Sequence, residues 1–97
     1  MPTYITLASW TDQGIRNVKE SPARLDAVKE MFRSTGAELK QFYLVTGQHD
    51  MVVVSEAPDD TTIAKVALAI GAQGAVRTMT LRAFTEDEYR KIIADLP

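Results

Sequence analysis

Cysteine is absent from the 97 residues of this chain. Its absence excludes a disulfide framework, a thiol nucleophile and a zinc site of the thiolate type, and it fits a reducing, cytoplasmic setting. Histidine occurs once, as His49. With Asp50 and Glu56 it makes too thin a ligand set for a metal of ordinary coordination number. Neither sign of charge dominates: 11 Lys and Arg stand against 13 Asp and Glu. No basic patch awaits a phosphate backbone, so a nucleic-acid partner is not expected. No apolar run approaches the ~20 residues of a membrane span. The N-terminus opens on strand-like residues instead of a basic segment followed by an apolar core, so no signal peptide is expected. Phosphate-loop, dinucleotide and nucleophile-elbow fingerprints are missing, and no cofactor is expected.

What is present is an ordinary globular balance, 45% hydrophobic and 25% charged, at a length that suits one domain over residues 1–97. Thr3 to Trp10 alternate as a strand, with Ile5 and Leu7 on one side and Tyr4, Thr6, Ala8 and Trp10 on the other. A helical stretch from Thr11 to about Glu20 follows. Ser21-Pro22 reads as an N-cap and first helical position, Leu25, Val28 and Phe32 as an apolar stripe, and Gly36 as a left-handed stop. Ala37–Thr46 and Asp50–Ala57 read as strands around Gly47-Gln48, a two-residue type II′ hairpin turn. Pro58-Asp59-Asp60 caps a helix carrying Ile63, Val66, Ala67 and Ile70 at helical spacing, which exits at Gly71 and Gly74. Ala75–Phe84 is a fourth strand. Thr85 to Glu88 form a capping box for a last helix with Tyr89, Ile92, Ile93 and Leu96 on one face.

This order spells β-α-β-β-α-β with an added C-terminal helix, an α+β ferredoxin-like plan. Right-handed crossovers then give an antiparallel sheet of order 4-1-3-2 with both crossover helices on one face. The connectivity brings Trp10-Thr11, Thr46-Gly47, His49-Asp50 and Arg77 to one end of the sheet. Several strands are apolar on both faces, which calls for cover on both. A terminal helix of about twelve residues covers only part of the second face. A second copy is the simplest remaining cover, so a homo-oligomer, at least a dimer, is expected. Thr6, Thr78, Thr80 and Arg82 are expected on that second face, giving the space between two sheets a partly polar lining fit for a small ligand.

The candidate ligand-binding residues are therefore Trp10, Thr11, His49, Asp50 and Arg77. His49 is suited to proton transfer by its reference pKa of ~6.5, or else makes a turn contact. Asp50 orients it or bonds backbone amides in the turn. Arg77 clamps a carboxylate or phosphate or pairs with Asp50. Trp10 walls a pocket or fills the core. Thr11 caps the following helix, and Gly14 answers a backbone requirement. Tyr43 is a second candidate for proton transfer.

Six stretches carry a family resemblance. They are residues 1–7 (Met-Pro-Thr-Tyr-Ile-Thr-Leu), Trp10 to Arg16, Lys19 to Pro22, Glu56 to Asp60, Val76 to Thr78 and Leu81 to Glu88. Together they resemble the GYD domain proteins over nearly the whole chain. The family's Gly-Tyr-Asp element corresponds here to Gly47-Gln48-His49-Asp50, with histidine where the family has tyrosine. The resemblance implies a ferredoxin-like, oligomeric bacterial or archaeal protein, similar to the dimeric α+β barrel group that includes small monooxygenases and isomerases. Three functions follow as expectations. The first is a homo-oligomer binding a small polar or anionic ligand. The second is a cofactor-independent monooxygenase- or isomerase-like enzyme using His49 or Tyr43. The third is a structural or regulatory oligomer without a small ligand.

Overall fold

The computed structural model describes residues 1–97. Four strands, β1 (Thr3–Trp10), β2 (Glu38–Leu44), β3 (Met51–Glu56) and β4 (Val76–Ala83), form one antiparallel sheet in the order β2-β3-β1-β4. That is the ferredoxin-like order read from the connectivity. The helices are α1 (Asp12–Arg16), α2 (Ser21–Ser34), α3 (Asp60–Ala72) and α4 (Glu86–Ala94).

Local chemistry sets most boundaries. Thr11 caps α1 by accepting from the Gly14 N–H. Asp59 caps α3 through Thr62, whose side-chain and backbone bonds hold the Asp59 carboxyl below its ordinary pKa. Thr85 and Glu88 complete the capping box of α4. Gly36 ends α2 at φ +82°, a conformation open to glycine at no Cβ cost. Gly14 answers a different demand: a Cβ there would lie 1.9 Å from the Ala75 carbonyl oxygen, so only glycine lets α1 pack against the entry to β4.

Two expected boundaries are corrected. Ser21 does not cap α2: Asn17 breaks the first helical stretch, a 3-10 turn spans Val18–Glu20, and the chain enters α2 through Glu20 in helical conformation. Ser21 is thus already inside a helical run and free of the extended backbone a cap needs. The β2–β3 connection is wider than a two-residue turn. The strands close on the bond from the Val45 N–H to the Asp50 carbonyl (2.8 Å), leaving residues 46–49 as the loop. Asp50 is held in line by its own N–H, which donates to the Ala8 carbonyl of β1 (2.9 Å).

Cross-strand partners share a face, and the register assigns the two faces. Tyr4, Thr6 and Ala8 lie level with Arg82, Thr80 and Thr78 on one side and with Ser55, Val53 and Met51 on the other. Tyr4 belongs to the core with Phe32 of α2 and Ile63 and Val66 of α3, so this is the helix-covered face. Thr6, Thr78 and Thr80 therefore sit beneath the helices, and Arg82 lies on the same face but exposed, a correction to their expected place on the second face. The alternation in β1 that buries Tyr4 and Ala8 carries Thr6 with them. The opposite face carries Ile5 and Leu7 level with Val54 and Val52 on β3 and Leu81 and Met79 on β4.

That second face is uncovered. Met79 and Leu81 are about half exposed. The last helix gives no cover: α4 buries none of its residues, and Tyr89, Ile92, Ile93 and Leu96 all remain exposed. Its root is fastened instead by Arg82, whose guanidinium lies 4.4 Å from the Phe84 ring centre and 3.8 Å from the Glu88 carboxylate. Only 11 of 97 residues are buried, and the chain exposes 6588 Å². A folded monomer of 10.7 kDa is expected to expose ~5,500 Å². The radius of gyration, 14.6 Å, likewise exceeds the ~13 Å of a compact domain of about 100 residues. No helix is long and apolar enough to cross a membrane.

Candidate functional site

The end of the sheet where β1 stops gathers the residues that the connectivity points to, and it divides them among three tasks. Two are committed to the backbone. Asp50 accepts the Trp10 N–H through Oδ2 at 3.0 Å, satisfying an amide at the end of β1. Thr11 donates its hydroxyl to the Gly74 carbonyl at 2.5 Å while its own N–H reaches the Ala75 carbonyl at 3.1 Å. With its cap on Gly14, Thr11 ties β1, α1 and the approach to β4 into one knot.

Two more lie around Ser9 on the uncovered face. His49 Nδ1 stands 3.5 Å from the Ser9 hydroxyl, and Arg77 is the cross-strand partner of Ser9 on β4. His49 is half-buried and Arg77 exposed. Arg77 forms no ion pair, so the alternative pairing with Asp50 does not occur; the Asp50 carboxylate is turned toward the backbone of β1 instead. Tyr43, half exposed on β2, lies level with Val52 on the same face and makes no side-chain hydrogen bond.

Trp10 takes the third task. On the helix-covered face it lines a cavity of about 220 Å³ between the sheet and helices α2 and α3. Thr6, Thr78 and Thr80 line the sheet side, with the Thr6 and Thr80 hydroxyls 3.1 Å apart. Leu25, Val28 and Phe32 of α2 and Ile63, Val66 and Ile70 of α3 line the helix side. Arg24 and Gln73 also border it, where α2 begins and α3 has just ended. Both positions fall at the Trp10 end of the sheet. The Arg24 guanidinium is engaged, 2.7 Å from the Asn17 carbonyl and 3.5 Å from the Glu20 carboxylate. Sequence reasoning looked for a pocket between two sheets and did not foresee this space beneath the helices. The signal for it is the short side chains of Ala8, Ala67 and Ala75 among the lining, which leave room between the layers.

At the far end of the same face, the buried Tyr4 ring sends its hydroxyl to the exposed Asp60 carboxylate. That bond, then burial, raises the Tyr4 pKa above its ordinary value.

Comparison with known proteins places these features. The glutamine synthetase and cystathionine beta-lyase binding protein of Thermus thermophilus is 39% identical over 84 residues, which are 86% of this chain and 88% of that protein. A crystallised protein of Thermus thermophilus superposes with a TM-score of 0.55 at 24% identity, covering 88% of this chain and 95% of that one. A feast or famine regulatory protein of Mycobacterium tuberculosis, in complex with L-methionine, superposes with a TM-score of 0.63 at 19% identity. That match covers 90% of this chain and 54% of the regulator. At such identities the two structures speak for the fold alone. The family model of the GYD domain matches residues 4–93, and the chain belongs to the GYD domain family.

Proposed function

We propose that this chain is a homo-oligomeric binding module whose partners are other proteins, metabolic enzymes first among them. The carrying observation is the apolar surface that one chain leaves uncovered. The whole chain exposes ~1,000 Å² more than a monomer of its mass should, an excess to which the open sheet face and the unburied α4 both contribute. The patch of Ile5, Leu7, Val52, Val54, Met79 and Leu81 is apolar throughout, the chemistry that a second copy of itself offers in return. A two-fold contact of sheet on sheet buries it on both chains.

The terminal helix is a separate surface. Tyr89, Ile92 and Ile93 fall at i, i+3 and i+4, the anchor spacing of a helix laid into a partner's groove, and all three are exposed, as is Leu96 just past the helix end. The Thermus relative supports an enzyme as that partner, being itself a binding protein for glutamine synthetase and cystathionine beta-lyase. The test mixes the purified chain with each of these two enzymes and follows sedimentation velocity. Binding that is lost in the double variant Ile92→Glu, Ile93→Glu, with the oligomer intact, supports the reading. Loss of the oligomer in that variant assigns α4 to self-assembly instead. Failure of the unaltered chain to join either enzyme rejects both as partners.

A second reading rests on the neighbourhood of Ser9. His49 and Arg77 flank it at the rim of the uncovered face, where a second copy would enclose them. A small polar or anionic ligand held there, with Trp10, Thr11 and Asp50 fixing the backbone around it, deepens the oligomer into a sensor. Calorimetry with phosphate and with acetate tests this. Binding weakened in Arg77→Ala favours the clamp, and equal affinity removes it.

A further inference from the structure

The cavity beneath helices α2 and α3 has a distinctive wall. Along the sheet run three threonines, Thr6, Thr78 and Thr80, while the helix side is aliphatic and aromatic. Water suits the threonine wall best, because an ordered molecule needs two to four polar partners and the helix side offers polar groups only at Ser21, Arg24 and Gln73. The single charged lining residue, Arg24, is already bonded to Glu20 and Asn17. Both contacts use Nη2, and the Glu20 carboxylate offsets the Arg24 charge at the rim, so the cavity favours a neutral guest over an anion. The threonine hydroxyls both donate and accept, which suits a neutral oxygen. As to size, apolar cavities of ~150 Å³ take up benzene, and this one of about 220 Å³ holds a molecule roughly half as large again. Drug-sized ligands need ~300 Å³ or more and would extend beyond it.

We propose that this cavity binds a small neutral molecule with an aromatic or branched-aliphatic body and one hydroxyl or carbonyl group. The body lies against Val28, Phe32 and Val66. The oxygen bonds the threonine pair Thr6 and Thr80, which already exchange a bond at 3.1 Å and so have a further lone pair or proton to offer. Entry is at the Trp10 end, between Arg24 and Gln73. Ligand uptake and protein docking use different parts of the molecule, since the cavity shares no residue with the uncovered face or with α4.

Trp10 is the only tryptophan and lines the cavity, so its fluorescence reports occupancy. The experiment titrates the full chain with benzyl alcohol and, as a control without the oxygen, with toluene, exciting at the red edge of tryptophan absorption. A saturable change with both is expected, tighter for the alcohol. Thr80→Val should weaken benzyl alcohol about 3- to 10-fold, the worth of one hydrogen bond, and leave toluene within twofold. Ala67→Leu, which fills the cavity from α3, should abolish both responses and raise the melting temperature. If Ala67→Leu does not fold, Ile70→Phe fills the same space one turn on. No saturable response to either probe in the folded wild type overturns the proposal. So does a response that survives the cavity-filling variant unchanged.

Discussion

The two faces of this sheet are almost equally apolar and meet opposite fates. On one, Tyr4 and Ala8 are nearly fully buried beneath α2 and α3. On the other, Ile5 and Leu7 of the same strand are only partly buried, and their neighbours Met79 and Leu81 stay about half exposed. The more aliphatic side of β1 is the one its own chain leaves open. The difference teaches that a two-sided apolar strand encodes burial without encoding the source of the cover. The two crossovers supply one layer, and in the proposed assembly a second copy supplies the other.

The comparison breaks most sharply on the open face. Leu7→Asp places a charge at the centre of the proposed contact, and burying it uncompensated costs roughly 3–5 kcal/mol. The dissociation constant of the oligomer should rise by two to three orders of magnitude, measured by sedimentation equilibrium, with the circular dichroism of the fold retained. On the covered face the matching change is Phe32→Ala. Phe32 is 3% exposed, and its truncation should cost about 3 kcal/mol in urea unfolding, the lower end of the usual range because the adjoining cavity gives the helices room to settle.

Smaller effects separate the knot at the end of β1 from both faces. Thr11→Val removes the cap on Gly14 and the bond to Gly74 and should cost about 1–2 kcal/mol, read by thermal unfolding, with the oligomer unaffected. Smaller still is a pH effect confined to the covered face. The Tyr4 pKa is raised in the fold, so its contribution is fully present below the unfolded value of ~10 and is lost as pH rises through the folded value. The phenolate then forming beside Asp60 replaces a donor with a second anion. Wild-type stability should fall with pH in that alkaline window, and Tyr4→Phe should remove this part of the slope.

Much of this was legible in the residues. The order β2-β3-β1-β4 follows from connectivity and crossover handedness, and the Thr11, Asp59 and Thr85 caps follow from local hydrogen-bond chemistry. Gly14 was legible as a constraint, though only the structure names the Ala75 carbonyl as its cause. The meeting of Trp10, His49, Asp50 and Arg77 at one end of the sheet was likewise a matter of topology. What they do there was not, because Asp50 turns to a backbone amide and Trp10 turns under the helices, and those choices depend on neighbours distant in sequence. Strand alternation groups Thr6 with Tyr4 and Ala8 but is silent on which group receives the helices, so the threonine wall was assigned to the wrong side. The hairpin misled for a related reason. Gly47 signals a tight turn, yet the pairing of β2 and β3 closes at Val45 and Asp50, which leaves four residues in the loop.

The measurement that bears most directly on the two-faced sheet is the solution mass of the purified chain by light scattering during size-exclusion chromatography at micromolar concentration. A mass of at least twice 10.7 kDa, falling to a single chain in Leu7→Asp, is the predicted result. A wild-type chain that elutes as a folded monomer contradicts the account.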